Sequence, residues 1–305
     1  MEIAFVGLGA MGSRIAANLQ ASGHSLHVYN RHAGKADALK AAGAVVASSP
    51  ADAARAADVV FTMVADDAAL QAVTFGEQGI AAGLRPGAVH VGLSTIGIAA
   101  AVAVAAGHGK SGQAYVSAPV FGRPDAAAAR KLHIMAAGPE AALAKVLPLL
   151  REIGQTANVV GAEPWQANLV KLAGNMLLVS LVETLGEACA MAEKSGLAPQ
   201  RLVELLTGTL FNAGPYLTYG PAIAAKKFEP AGFALPLAHK DIRLMLEAGA
   251  QAGVTLPIAS LARDRMLAAQ ALGAGSGHDL AALALVALTE AGLERSATAG
   301  STAAS

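Results

Sequence analysis

The first stretch of the chain limits its possible folds more than any other part. An apolar β-type run, Ile3-Ala4-Phe5-Val6, leads straight into Gly7-Leu8-Gly9-Ala10-Met11-Gly12, and a helical stretch follows over Met11–Ser22. Strand, glycine-rich turn and helix in that order make the phosphate-binding corner of a βαβ unit. Gly7 allows the tight turn, Gly9 lets backbone amides approach a pyrophosphate, and Gly12 lets the helix lie against the strand. The helix N-terminus then points at the phosphate charge. Gly7, Leu8, Gly9, Ala10, Met11 and Gly12 are therefore expected to hold a dinucleotide; the alternative is a glycine-rich turn in some other α/β protein.

The next β-type run, Leu26–Tyr29, ends at Asn30-Arg31. An NAD-selective chain usually places an acid there for the ribose 2′-hydroxyl. Here Arg31, with Lys35 four residues on, is suited to a 2′-phosphate, whose oxygens a guanidinium fork matches. NADP(H) is the expected cofactor, with NAD(H) as the other candidate; the competing view is two solvated loop cations. Asn30, and Met63 and Val64 at the end of the strand candidate Val59–Val64, are assigned to the same cofactor surface.

At 305 residues the chain is long enough for two domains, since one typically takes ~100–200 residues. Residues 1–162 alternate short β-type runs (Ile3–Val6, Leu26–Tyr29, Val45–Ala47, Val59–Val64, Ala88–Gly92, Tyr115–Ala118, His133–Ala136) with alanine-rich helical stretches. That alternation predicts an α/β Rossmann-type doubly wound sheet. Residues 163–293 carry only helical spacing, over Trp165–Ser195, Pro199–Thr207, Tyr216–Lys226, Leu237–Ala252, Ile258–Leu272 and Asp279–Leu293, which predicts an all-α domain. Gly196, Gly253 and Gly273 fall where helices should end. Residues 294–305 are small and polar and are expected to be a disordered tail.

Lys plus Arg equals Asp plus Glu at 22 each, so no global field draws in nucleic acid or an anionic membrane. The N-terminus lacks the basic region of a signal peptide, and the single cysteine, Cys189, fits a reducing compartment. A cytoplasmic location is expected. No zinc-type spacing appears, and no metal is expected.

The run beginning near Trp165 is apolar nearly all round, which predicts a buried helix. Asn168, Lys171 and Asn175 lie within an arc of about 60° on it, so an ammonium and two carboxamides project together. In one reading Lys171 protonates a substrate carbonyl oxygen as hydride reaches carbon, and Asn175 orients substrate or lysine. Burial would lower the lysine pKa toward a working value. In the other, Lys171 buries its stem and snorkels to solvent. A helix apolar all round also needs several neighbours, which suggests a homodimer or tetramer.

Six motifs in order, Gly7–Gly12, Asn30-Arg31, Leu93-Ser94-Thr95-Ile96, Ala118-Pro119-Val120, Lys171–Asn175 and Lys240-Asp241-Ile242-Arg243-Leu244, resemble the β-hydroxyacid dehydrogenase family. The family includes 3-hydroxyisobutyrate dehydrogenase and glyoxylate and succinic semialdehyde reductases. The resemblance spans nearly the whole chain and implies hydride transfer between a nicotinamide and a small 3-hydroxy acid or aldehyde acid. It further implies Lys171 as the catalytic lysine, Ser94 and Thr95 lining the nicotinamide and substrate pocket, and Lys240 reaching the cofactor, the alternative for Lys240 being a surface lysine paired with Asp241 or a helix start.

Two departures bear on the substrate. Many members have aspartate where this chain has Gly92, and Ser-Gly-Gly where it reads Phe121-Gly122-Arg123. The latter segment normally grips a substrate carboxylate, so Phe121 suggests a more apolar wall, and Arg123 either binds an acid or points to solvent. Two rival functions are an imine reductase, which usually lacks a lysine at position 171, and a catalytically silent NADPH-binding module; Lys171 with Asn175 argues against both.

Overall fold

The computed structural model describes residues 1–293; the expected tail at 294–305 lies outside the described residues. The chain divides into two compact units, Met1–Leu172 and a second that starts at Ala173, so the division falls inside the helix Pro164–Lys194.

Among the described residues of the first unit, nine strands form one sheet: β1 (Glu2–Val6), β2 (Ser25–Tyr29), β3 (Val45–Val46), β4 (Val59–Thr62), β5 (Val89–Gly92), β6 (Ala114–Ser117), β7 (Val120–Phe121), β8 (Leu132–Ala137) and β9 (Gly154–Gly161). The first six are parallel in the order β3-β2-β1-β4-β5-β6, the order of doubly wound nucleotide-binding sheets. β8 then runs antiparallel to β6 and β7 and parallel to β9. Strand alternation sends Ile3, Phe5, Val59 and Phe61 to one face, where Ile15, Leu19, Val146 and Leu150 cover them. Ala4, Val6 and Val60 go to the other, against Ala53, Ala54 and Ile80. The sheet is thus packed on both faces, as its near-continuous apolar strands require.

β7 and β9 are strands that no local pattern predicts, and β4 ends two residues short of the expected Val59–Val64. β7 spans only two residues, too few to show a period, and β9 is Gly-Gln-Thr-Ala-Asn-Val-Val-Gly, largely polar or exposed and bonded to β8 alone. Met63 and Val64 follow the end of β4 outside the strand, Met63 N–H still donating to the Val6 carbonyl.

The second unit is helical: the later turns of Pro164–Lys194, then Pro199–Thr207, Gly214–Ala224, Leu235–Ala252, Pro257–Ala271 and Ala284–Glu290. Gly196, Gly253 and Gly273 take φ of 84°, 69° and 99° just past their helices, the left-handed region that a side chain disfavours. Val179, Val182, Ile223, Leu235, Ile242, Met266 and Leu283 form its core. The segment expected as one helix over Asp279–Leu293 begins instead with a tight turn, Leu280–Leu283. There the Asp279 carboxylate accepts from Ala281 N–H and from the N–H groups of Gly232 and Phe233, pinning the entry. The long helix is less covered than its composition predicts, with Leu177 and Met191 67% and 69% exposed. Its length and apolarity would also suit a membrane span, yet Asn168, Lys171, Asn175 and Glu183 on it are buried polar groups.

A buried polar chain crosses the first unit behind the strand ends. Gln113 Nε2 donates to the carbonyls of Ala81 and Leu84, which turns Oε1 toward His108 Nδ1 at 2.7 Å. His108 Nε2 lies 2.9 Å from His90 Nδ1, and His90 Nε2 lies 2.9 Å from the Thr62 hydroxyl. With both rings neutral, each acceptor has one donor: His108 Nδ1–H to Gln113, His90 Nδ1–H to His108, and Thr62 O–H to His90. Burial, then the neighbouring His108, holds His90 well below the ordinary histidine range, and burial lowers His108 as well. The unfolded chain takes protons at these residues below about pH 6.5, while the fold resists them. Stability is therefore complete above that pH and drains as pH falls, by about 1.4 kcal/mol per unit of depression. Urea midpoints measured between pH 8 and 5.5 are expected to be flat above 7 and to decline below 6.5; a midpoint that rises on acidification contradicts the neutral chain.

Candidate active site

The glycine-rich turn sits at the carboxyl end of β1, where open α/β sheets bind ligands. Gly7 has φ of 99°, and a Cβ there would overlap the Met63 carbonyl; one at Gly12 would overlap the Gly7 carbonyl. Gly9, by contrast, has nothing within 4 Å of where its Cβ would lie. Turn and helix are thus pressed together at Gly7 and Gly12 while Gly9 opens outward. Gly9, Ala10 and Met11 lead into the helix Gly12–Ala21, whose first turn is set by Ser13 N–H to Gly9 and Arg14 and Ile15 N–H to Met11. The side chain of Leu8 goes into the core at 1% exposure, so only its backbone remains in the turn.

Asn30 holds this corner together. Its Oδ1 accepts the Leu8 N–H at 2.9 Å and its Nδ2 donates to the His32 carbonyl at 3.0 Å. The carboxamide therefore ties the glycine turn to the segment carrying Arg31, which is exposed, as is Lys35 in the short 3₁₀ turn Ala33–Ala36. At the neighbouring strand ends, Met63 N–H donates to the Val6 carbonyl, and Val64 N–H donates to Ser94 Oγ at 2.8 Å. Gly7, Asn30, Met63, Val64 and Ser94 form one connected rim. Thr95, half-buried, follows Ser94, and Gly97 N–H is held by the Asp67 carboxylate.

Lys171 is buried, and its Nζ lies 4.1 Å from the centroid of the Phe121 ring. One turn earlier on the same helix Asn168, fully buried, stands with its Oδ1 2.5 Å from the donating Ser117 hydroxyl and its Nδ2 3.5 Å from the Ile96 carbonyl. This amide clamps the Lys171 turn to the Leu93–Ile96 segment and to the end of β6. Gly122, with φ of 141° and Leu132 where its Cβ would go, takes the chain out of β7; Arg123 follows, half-buried, ahead of the helix Pro124–Ala128.

Gly92 has a spatial explanation. A Cβ there would overlap the Tyr115 hydroxyl, so a buried phenol occupies the space that any side chain at this position would need. Burial pushes that phenol up from its ordinary range, and it stays neutral.

In the second unit, Asn175 Nδ2 donates to Asp241 Oδ2 at 2.5 Å, and Lys240 Nζ lies 3.1 Å from Asp241 Oδ1. Asp241 is only 3% exposed, so this carboxylate links the two residues. The pairing of Lys240 with Asp241 joins neighbours in the sequence, whereas the bonds of Asn175 to Asp241 and of Ser117 to Asn168 span 66 and 51 residues, beyond any local pattern. Among the described residues no group of three or more His, Cys, Asp or Glu side chains could hold a metal ion. Cys189 is buried, which pushes its thiol up to about 11 and keeps it a packing residue.

The parallel sheet, its glycine corner and the lysine beside the strand ends are those of a nicotinamide-dependent oxidoreductase with a Rossmann-type domain. Residues 2–161 match the family model of the NAD binding domain of 6-phosphogluconate dehydrogenase, and residues 166–293 match that of the NAD-binding domain of NADP-dependent 3-hydroxyisobutyrate dehydrogenase. An uncharacterized oxidoreductase of Bacillus subtilis is 43% identical over 264 residues, 87% of this chain and 92% of the relative. Glyoxylate/succinic semialdehyde reductase 2 of Arabidopsis thaliana is 31% identical over 90% of this chain and 76% of the relative. The solved structure of Mycobacterium tuberculosis 3-hydroxyisobutyrate dehydrogenase with L-serine is 30% identical, covers 93% of this chain and 98% of its own, and superposes with a TM-score of 0.84. The chain belongs to the β-hydroxyacid dehydrogenase family of NAD(P)-dependent oxidoreductases.

Proposed function

We propose that this protein is an NADP(H)-dependent enzyme that interconverts a small 3-hydroxy acid and its aldehyde or keto acid, with Lys171 as the proton donor and acceptor. The observation carrying the reading is a buried ammonium, Lys171, in the same unit as the glycine corner. The residues fit a dinucleotide. Gly9 leaves open space at the helix N-terminus while Gly7 and Gly12 leave none, and backbone amides of Gly9, Ala10 and Met11 would take the pyrophosphate. Arg31 and Lys35 would take the 2′-phosphate, and Met63 and Val64 would flank the cofactor at the strand ends. Bound there, the nicotinamide supplies or accepts the hydride.

The chain's own residues manage the proton and the orientation. In reduction an N–H bond of the Lys171 ammonium breaks as the carbonyl oxygen gains that hydrogen, leaving a neutral amine that solvent reprotonates; in oxidation the neutral amine removes the hydroxyl proton. Ser94 and Thr95 line the substrate space, with the Ser94 oxygen already accepting from Val64. Phe121 and Gly122 would form a wall, and Arg123 would bind a carboxylate. Asn175 acts through Asp241 on Lys240. The relatives named for glyoxylate, succinic semialdehyde and 3-hydroxyisobutyrate support the substrate class, and the buried Cys189 supports a reducing, cytoplasmic setting. Exposed Leu177 and Met191 support a homodimer.

A panel of aldehyde acids and imines, followed by NADPH absorbance, tests the reading. Turnover is expected with short aldehyde acids and not with imines. Loss of NADPH signal only with imines, or with no member of the panel, overturns it.

A further inference from the structure

Phe121 is fixed before any ligand arrives. Its backbone pairs with His133 across the antiparallel β7–β8 ladder, and Val120 beside it fills the core at 5% exposure. Strand alternation therefore turns the next ring to the opposite face, where it meets the Lys171 ammonium at 4.1 Å from ring centroid to Nζ. Gly122 then breaks from the sheet at φ 141°, so nothing after the ring continues the strand. An aromatic face attracts a cation through its quadrupole, and more so where both are withdrawn from water.

We infer that Phe121 is the positioning residue of the proton-transfer group: its ring holds the Lys171 side chain over one face and favours the protonated amine. The inference rests on the proposed role of Lys171. A lysine with its stem packed on any apolar neighbour would need only bulk at position 121, whereas this arrangement needs π-electrons. The two differ when the ring is exchanged for an aliphatic group of comparable apolarity. Arg123, two residues along, stays in every variant so that the ring alone changes.

The test compares Phe121→Leu with Phe121→Tyr, each first checked for native melting behaviour, alongside Lys171→Met. In Phe121→Leu the alkaline limb of kcat/KM for reduction is expected to move down by about 0.5–1 pH unit, with kcat about ten-fold lower. Phe121→Tyr is expected to restore both. A second readout needs no cofactor: competitive acetylation of the apo protein, quantified for the Lys171 peptide by mass spectrometry, is expected to show the same downward displacement of the amine's titration in Phe121→Leu. Should Lys171→Met abolish turnover while Phe121→Leu leaves both the limb and the acetylation curve in place, the role of the ring is overturned and that of the lysine stands. Should Lys171→Met retain turnover, both fall together.

Discussion

Replacing Lys171 with methionine is expected to lower kcat by about 10²–10⁴-fold, the range that one positioned acid–base group contributes. Methionine retains an unbranched apolar stem against Phe121 and removes only the ammonium, so packing is largely preserved. NADPH affinity, read by quenching of Trp165 or by cofactor fluorescence, should change less than about three-fold, since the proposed phosphate contacts come from backbone amides and from Arg31 and Lys35. The loss should appear in kcat and kcat/KM together, the pattern of an interaction made in the transition state. Turnover within about three-fold of the parent would remove the lysine from the chemistry, and a collapse of NADPH binding would reassign it to the cofactor.

What the sequence made legible follows the range over which each interaction acts. The glycine corner is local: Gly7 to Gly12 must pack turn against helix within six residues, and the collisions a Cβ would meet at both ends are the physical reason those glycines can be read. Helix ends at Gly196, Gly253 and Gly273 are local in the same sense. β9 was illegible because five of its eight residues are polar or glycine and its place is set by β8 rather than by its own pattern. β7 was hidden by its two-residue length, and with it the reason Phe121 faces Lys171, 50 positions on. Gly92 shows the same limit. Its departure from the family's aspartate was visible, but its cause, the Tyr115 hydroxyl, comes from the adjacent strand.

Exchanging Arg31 for alanine should reduce the preference for NADPH over NADH by about 10–100-fold, which corresponds to the roughly 1.5–3 kcal/mol of a charge-assisted hydrogen-bond contact. The hydrogen bonds of Asn30 explain why the position before Arg31 carries an amide and not an acid. Its Nδ2 donates to the His32 carbonyl while its Oδ1 accepts from Leu8, and a carboxylate could make only the second bond. The amide thereby shapes the turn in which Arg31 is presented, exposed, beside the glycine corner. A 2′-hydroxyl gains little from a guanidinium, whereas a 2′-phosphate gains charge and a matching fork. The change in Arg31→Ala should therefore fall on the NADPH constant and leave the NADH constant nearly unaltered. Lys35→Ala should have a smaller effect, because an ammonium on a flexible stem acts as a point charge, and added salt should weaken NADPH binding more in the parent than in Arg31→Ala. Dissociation constants for both cofactors, measured in parent and variants at two ionic strengths, decide the matter. An unchanged NADPH to NADH ratio in Arg31→Ala would mean that the 2′-phosphate is recognised elsewhere or not at all.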